Sequence, residues 1–109
     1  MKMIRVASNS RTSGVAGAIA HSIRESGEVQ IQAIGAGAVN QMIKATIQAK
    51  NFLAEEGTGI VFTADYVDVD IDGDMRTALR LTITPSANAW QTAVPQPTAV
   101  GALKPISAD

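Results

Sequence analysis

The segment from Gln32 to Asn51 restricts the fold of this chain more than any other part of its sequence. An alternating apolar run that starts at Val29 leads into Gly35-Ala36-Gly37, and the residues after this turn have the spacing of an amphipathic helix. A strand, a tight turn and a helix N-terminus in this order present backbone N–H groups to a ligand in many folds. The sequence therefore predicts an α/β protein with a candidate anion-binding turn.

The composition limits both the core and the possible partners. With 109 residues, the chain is expected to form one domain. Hydrophobic residues make up 46% of it but aromatic residues only 4%, so aliphatic side chains and Met must build the core. The net charge of -1 argues against a strong nonspecific nucleic-acid binder, whose affinity comes largely from neutralising phosphates. The absence of cysteine excludes disulfides, thiol catalysis and cysteine-ligated metals.

No apolar run approaches the roughly 20 residues that a membrane-spanning helix needs. The N-terminus has charges within its short apolar segment and is not followed by the hydrophobic region of a signal peptide. We therefore expect a soluble cytoplasmic protein with no membrane partner.

The hydrophobic pattern predicts the element order β-α-β-α-β-β. Strands are expected over residues 3–7, 28–34, 60–71 and 75–84, with helices over residues 14–26 and 38–53. Gly27 is placed to end the first helix in a left-handed cap, and Asp72-Gly73 to form a hairpin turn. Two crossovers and a hairpin predict a two-layer α+β fold, a four-stranded mixed sheet with both helices on one face. The opposite face would be a candidate partner or oligomer interface.

Two details of this pattern are specific enough to test. The side-chain parity changes along the third strand, which predicts a β-bulge near residues 65–67. In the second helix, the side that faces the core is predicted to consist of Val39, Met42, Ile43, Thr46, Ile47 and the stem of Lys50. The polar side would then contain Gln41, Lys44, Gln48 and Asn51.

The sequence divides into a domain at residues 1–85 and a Pro/Ala-rich tail at residues 86–109. The periodicity stops after Pro85, and three of the four prolines follow it. Such a composition is typical of a flexible tail. A segment that docks on its own or a neighbouring subunit is the alternative, with five apolar anchors: Trp90, Val94, Val100, Leu103 and Ile106.

An acidic cluster surrounds the predicted hairpin, with members Asp65, Asp68, Asp70, Asp72 and Asp74. Carboxylates suit Ca²⁺ or Mg²⁺, but the spacing is not that of an EF-hand loop. Cross-strand ion pairs with Arg76 and Arg80 are the favoured interpretation, so no metal and no cofactor is expected. His21 is interpreted as a surface residue, and without a nucleophile beside it we expect no enzymatic activity.

Six residues form the candidate nucleic-acid-binding site: Arg11, Gly35, Gly37, Asn40, Gln41 and Lys44. The two glycines would let the backbone approach phosphates, the two basic side chains would supply charge, and the two amides would donate hydrogen bonds. An ordinary tight turn with scattered solubilising charges is the alternative interpretation of the same residues.

Longer motifs link the chain to a known family. Val15-Ala-Gly-Ala-Ile-Ala20, Ile31-Gln-Ala-Ile-Gly-Ala-Gly-Ala-Val-Asn-Gln41, Lys44-Ala45, Ile71-Asp-Gly73 and Arg76-Thr-Ala-Leu79 all resemble the stage V sporulation protein S family. The resemblance covers residues 3–85 and implies an Alba-like fold. It also implies a homodimer or higher homo-oligomer that binds DNA or RNA weakly and acts as a developmental, sporulation-related regulator.

Two further functions remain open from the residues. The near-neutral charge and the acidic hairpin favour a self-assembling structural module, built through the open sheet face and the tail. The start of the second helix also allows a small-molecule or anion sensor.

Overall fold

The computed structural model describes residues 2–86, and these form six elements. In chain order they are β1 (Lys2–Val6), α1 (Thr12–Ser26), β2 (Val29–Ala33), α2 (Ala36–Ala54), β3 (Gly59–Ile71) and β4 (Asp74–Ser86). The order confirms the predicted β-α-β-α-β-β arrangement. The tail beyond Ser86, with its predicted anchors, lies outside the described residues.

The strands form one mixed sheet in the order β1-β2-β4-β3. β1 and β2 are parallel, whereas β4 is antiparallel to both of its neighbours, β2 and β3. β4 pairs with β2 only from Leu79 to Ile83, so the remainder of the β3–β4 hairpin extends beyond the central strands as an arm. The arm ends in the turn Asp72-Gly73, whose two residues both have positive φ, as a type I′ hairpin requires.

One face of the sheet and both helices enclose the core. Its strand members alternate along β2 and β4 as predicted, with Val29 and Ile31 packed beside Leu81 and Ile83. The small side chains of α1 contribute Ala16 and Ala20, which are buried and allow the helix to pack closely. Gly27 ends α1 in the left-handed conformation, also as predicted, and its N–H binds the Ile23 carbonyl.

The predicted β-bulge in the third strand is absent. Pairing between β3 and β4 runs without interruption from Gly59–Ser86 to Ile71–Asp74, through Asp65, Tyr66 and Val67. The apolar residues of β3 change from one face to the other for a different reason. β3 is the edge strand of the sheet, and neither of its faces is fully buried along its whole length. Phe62 and Tyr66 lie on the helix side but remain exposed, whereas Val67 and Val69 lie half-buried on the other face.

The buried side of α2 is also rotated from the prediction. Its buried residues are Ala38, Met42, Ala45, Thr46, Ala49 and Leu53. Ile47, predicted to face the core, is 50% exposed, while Gln41 and Gln48 on the predicted polar side are half-buried. Small alanines place α2 close to its neighbours, so the larger Ile47 is left at the surface. α2 also starts at Ala36, two residues earlier than predicted.

An exposed ion pair joins α1 to the turn after α2. Arg24 donates through Nε and Nη2 to the Glu56 carboxylate, with Nε 2.9 Å from Oε2. These hydrogen bonds, more than the charge itself, hold the pKa of Glu56 below its ordinary value and raise the pKa of Arg24.

Glu56→Gln is expected to reduce the acid sensitivity of the fold slightly. A lowered carboxyl pKa stabilises the folded state above the unfolded-state pKa, and this stabilisation disappears as pH falls through the folded-state pKa. The unfolding midpoints of the wild type and the variant should therefore differ at neutral pH and converge under acidic conditions. Thermal unfolding between pH 7 and pH 3 measures this, and a pH-independent difference would contradict it.

Among residues 2–86, neither helix is long and apolar enough to cross a bilayer.

Candidate functional site

The first turn of α2 presents free backbone donors. Gly35 is its N-cap residue, with no side-chain cap, and the first intrahelical bond runs from the Val39 N–H to the Gly35 carbonyl. The N–H groups of Ala36, Gly37 and Ala38 precede that bond, so the helix itself gives them no acceptor. The first turn also contains no acidic side chain. Free donors and the helix dipole make this end of α2 attractive to an anion.

The loop between β1 and α1 lies along the first half of α2. A side chain at Gly37 would come within 3.1 Å of the Ser8 Cβ atom, so the glycine permits the close approach of the loop. Further along, Gln41 Nε2 donates to the Ser10 carbonyl over 2.8 Å, and Gln48 Nε2 donates to Thr12 Oγ1 over 3.2 Å. These contacts fix the loop beside α2.

The structure places the two predicted cations in this neighbourhood. Arg11 is the exposed N-cap residue of α1, between Ser10 of the loop and Thr12 of the helix, the two residues that α2 holds. Lys44 is exposed on α2, between the two glutamines that hold the loop, and Asn40 is exposed one turn before it. Sequence reasoning gave Gln41 the role of a ligand donor, whereas in the structure it binds the loop backbone. We name residues 8–12 and 35–44 together the loop–helix surface.

A groove of about 760 Å³ opens beside this surface, at the carboxyl ends of β1 and β2. Arg5 and Gln32 line one part of it, and Asp70 and Asp72 from the hairpin arm line another. Neither Arg5 nor Gln32 is among the residues that the sequence predicts at a site. The sequence does contain a signal for Arg5. A charged residue between the apolar Ile4 and Val6 indicates a strand residue that faces away from the core.

The predicted cross-strand ion pairs of the arm do not form. Asp68 pairs with Thr77 and Asp70 with Met75, on the helix side of the sheet. Arg76 lies opposite Val69 on the other face, so its side chain points away from Asp68 and Asp70. Arg80 lies opposite Asp65 on that same face, but the two side chains form no ion pair. Within residues 2–86 the Arg24–Glu56 contact is the only ion pair, and no three potential metal ligands converge.

Local hydrogen bonds satisfy part of this acidic cluster. The Asp70 carboxylate accepts the Gly73 N–H over 2.7 Å, and Thr77 Oγ1 donates weakly to Asp68 over 3.4 Å. The arm therefore presents negative charge beside the groove, which opposes close contact between its tip and a phosphate backbone. His21 is exposed on α1, as predicted.

Two comparisons show what the chain is similar to. A family model described as Stage V sporulation protein S (SpoVS) matches residues 2–86. The fold is similar to that of Alba from Thermoplasma volcanium, with a TM-score of 0.52 and 14% identity, over 75% of this chain and 98% of that one. This likeness confirms the predicted fold class, and the family model covers all of the described residues. The chain belongs to the Stage V sporulation protein S family.

Proposed function

We propose that this protein is a cytoplasmic, non-enzymatic, sporulation-related regulator that binds DNA or RNA weakly through its loop–helix surface. One observation supports this most directly: the uncapped N-terminus of α2, with no acid in its first turn, lies beside a loop that bears Arg11. Backbone donors and flanking cations are the groups that proteins use to contact phosphates.

The charges indicate how strong such binding would be. Arg11 and Lys44 are the two cations of the loop–helix surface, and each neutralises at most one phosphate. For duplex DNA, the logarithm of the binding constant falls with the logarithm of salt by about 0.9 for each phosphate contact. Two contacts give a slope near -1.8, far shallower than that of a protein with many contacts. The acidic arm lowers the affinity further, so we expect measurable binding at low salt and weak binding at physiological salt.

Replacing Arg11 and Lys44 together by Ala is expected to weaken binding about tenfold at low salt and to remove most of the salt dependence. Both side chains are exposed, so the fold should not change. Fluorescence anisotropy of labelled duplex DNA and of labelled RNA, measured at a series of salt concentrations, gives both quantities.

The matched control replaces Lys2 and Arg76, which are also exposed and lie outside the loop–helix surface. It removes the same charge, so it should change affinity only through the weak long-range field. An equal loss in the two double variants would assign the binding to net charge alone. Unchanged binding in the Arg11/Lys44 variant would remove both residues from the site.

Self-assembly is the second candidate function, and the unpaired edge of β3 favours it. β3 is 13 residues long, and within residues 2–86 no strand pairs with its outer side. Such an edge is a template for another strand, and β3 of a second copy would complete it with two-fold symmetry. The sheet face away from the helices is less suited to self-assembly, because its central part contains the polar residues Arg5, Gln30, Gln32 and Arg80. A dimer in sedimentation equilibrium, together with no anisotropy change at low salt, would favour assembly over nucleic-acid binding.

A further inference from the structure

An apolar strip on the helix side of β3 and β4 is left uncovered by both helices. It consists of Phe62, Ala64 and Tyr66 of β3 with Leu79 of β4. Tyr66 pairs with Leu79, and Phe62 with the core residue Ile83, so these side chains lie on the face that forms the core. Yet Phe62 is 46% exposed and Tyr66 79% exposed, and a hollow of about 230 Å³ lies among Ala64, Asp65, Tyr66 and Leu79. Clustered exposed aromatics of this kind mark a contact surface.

The described part of the chain ends beside this strip. Ser86, the last residue of β4, pairs with Gly59, the first residue of β3. The sequence continues for 23 residues, from 87 to 109, and none of residues 86–103 is charged. Residues 87–94, Ala-Asn-Ala-Trp-Gln-Thr-Ala-Val, contain no proline, and Trp90, Thr92 and Val94 alternate along them. This is the pattern of an extended segment with one side suited to an apolar surface.

We propose that residues 87–94 dock in extended form on the apolar strip of their own chain. The lengths match. Phe62 lies three residues along β3 from Gly59 and Tyr66 seven, which corresponds to about 10 Å and 23 Å. Trp90 lies four residues beyond Ser86 and Val94 eight, or about 13 Å and 26 Å when extended. A segment that turns at Ser86 and runs back along β3 therefore brings Trp90 to the level of Phe62, and Val94 to the level of Tyr66.

The segment of the same chain is a better occupant than a second copy for two reasons. A short tether gives it an effective concentration of the order of millimolar, which a separate molecule does not reach in dilute solution. In addition, Asp68 and Asp70 lie on the same face as the strip, so a second copy docked through its own strip would add two carboxylates. The uncharged segment adds none. Docking there leaves the outer edge of β3 free, and it is independent of the proposed nucleic-acid binding.

Trp90 is the only tryptophan of the chain, so its fluorescence reports the docking directly. In the full-length protein, the emission maximum of Trp90 should lie at a shorter wavelength than in a synthetic peptide of residues 87–109. Acrylamide should also quench the fluorescence less in the protein than in the peptide. Phe62→Ser and Tyr66→Ser should each shift the emission back toward that of the peptide. Neither side chain belongs to the buried core, so circular dichroism should confirm that these variants fold.

Val61→Ser is the matched control, since Val61 is 48% exposed beside Phe62 but lies on the opposite face. It should leave the Trp90 emission unchanged. Emission equal to that of the free peptide would overturn the proposal, and so would a blue shift that survives both strip variants. A blue shift that disappears on dilution would also overturn it, because the docking would then occur between copies.

Discussion

Ile31→Ala is expected to destabilise the protein by about 3–4 kcal/mol, among the largest effects available to a single substitution here. Ile31 is 0% exposed and lies in the middle of β2, between Ile4 of β1 and Leu81 of β4. Truncation removes three carbon atoms from β2, the strand that pairs with β1 in parallel and with β4 antiparallel. Rigid backbone on either side prevents collapse of the cavity, which is why the expected cost lies well above that of the transfer of the atoms alone.

Urea denaturation measures this loss. A domain of this size is stable by about 5–15 kcal/mol, so the variant should remain folded but unfold at a clearly lower urea concentration. Ile47→Ala is the matched control, because it removes the same atoms from a side chain that is 50% exposed. It should cost less than about 1 kcal/mol. A loss at Ile31 no larger than that at Ile47 would contradict the position of the core.

Strand periodicity made most of the sheet predictable. Val29, Ile31 and Ala33 alternate with two glutamines, and this pattern alone identifies the buried face of β2. β4 is equally clear, because Leu79, Leu81 and Ile83 alternate with polar or small residues. Both strands have a face that the helices cover from Val29 to Ala33 and at Leu81 and Ile83, so hydrophobicity and burial coincide there.

Hydrophobicity predicts burial wrongly where small residues are buried and larger apolar residues are exposed. In α2, Ala45 and Ala49 are fully buried because close helix packing favours small side chains, whereas the larger Ile47 is not. In β3, Phe62 and Tyr66 lie on the core face beyond the area that the helices cover. The sequence contains no local signal for where a helix stops covering a sheet.

The site was predictable only in part. Gly35-Ala36-Gly37 marks the start of α2 from the sequence alone. The neighbouring loop depends on contacts such as Gln41 with Ser10, 31 residues apart, and Gln48 with Thr12, 36 residues apart. Nothing local to Gln41 distinguishes an amide that holds a loop from one that meets a ligand. The positions of Arg11 and Lys44 on one surface therefore follow from tertiary packing.

Gly35→Ala is expected to cost about 2 kcal/mol of stability, the second large effect. Gly35 has φ 92° and ψ 154°, in a region of backbone space that is almost restricted to glycine. An added methyl group meets no other residue within 4 Å, so the cost comes from the backbone conformation and not from a clash. Gly14→Ala is the matched control. Gly14 lies inside α1 with open space around it and ordinary φ, so alanine there should stabilise the protein by about 0.5–1 kcal/mol.

In urea denaturation, Gly35→Ala should therefore lower the free energy of unfolding and Gly14→Ala should raise it. The two variants should also differ in nucleic-acid binding. Alanine at position 35 is strained in this conformation, and relaxing that strain would rotate the peptide groups that begin α2 and turn the N–H groups of Ala36 and Gly37. Gly35→Ala should then weaken binding even at a temperature where the variant is fully folded, while Gly14→Ala should not. A destabilised Gly35→Ala variant with wild-type affinity would show that the turn is needed for the fold alone. In that case the nucleic-acid contacts would have to come from Arg11 and Lys44 without the helix N-terminus.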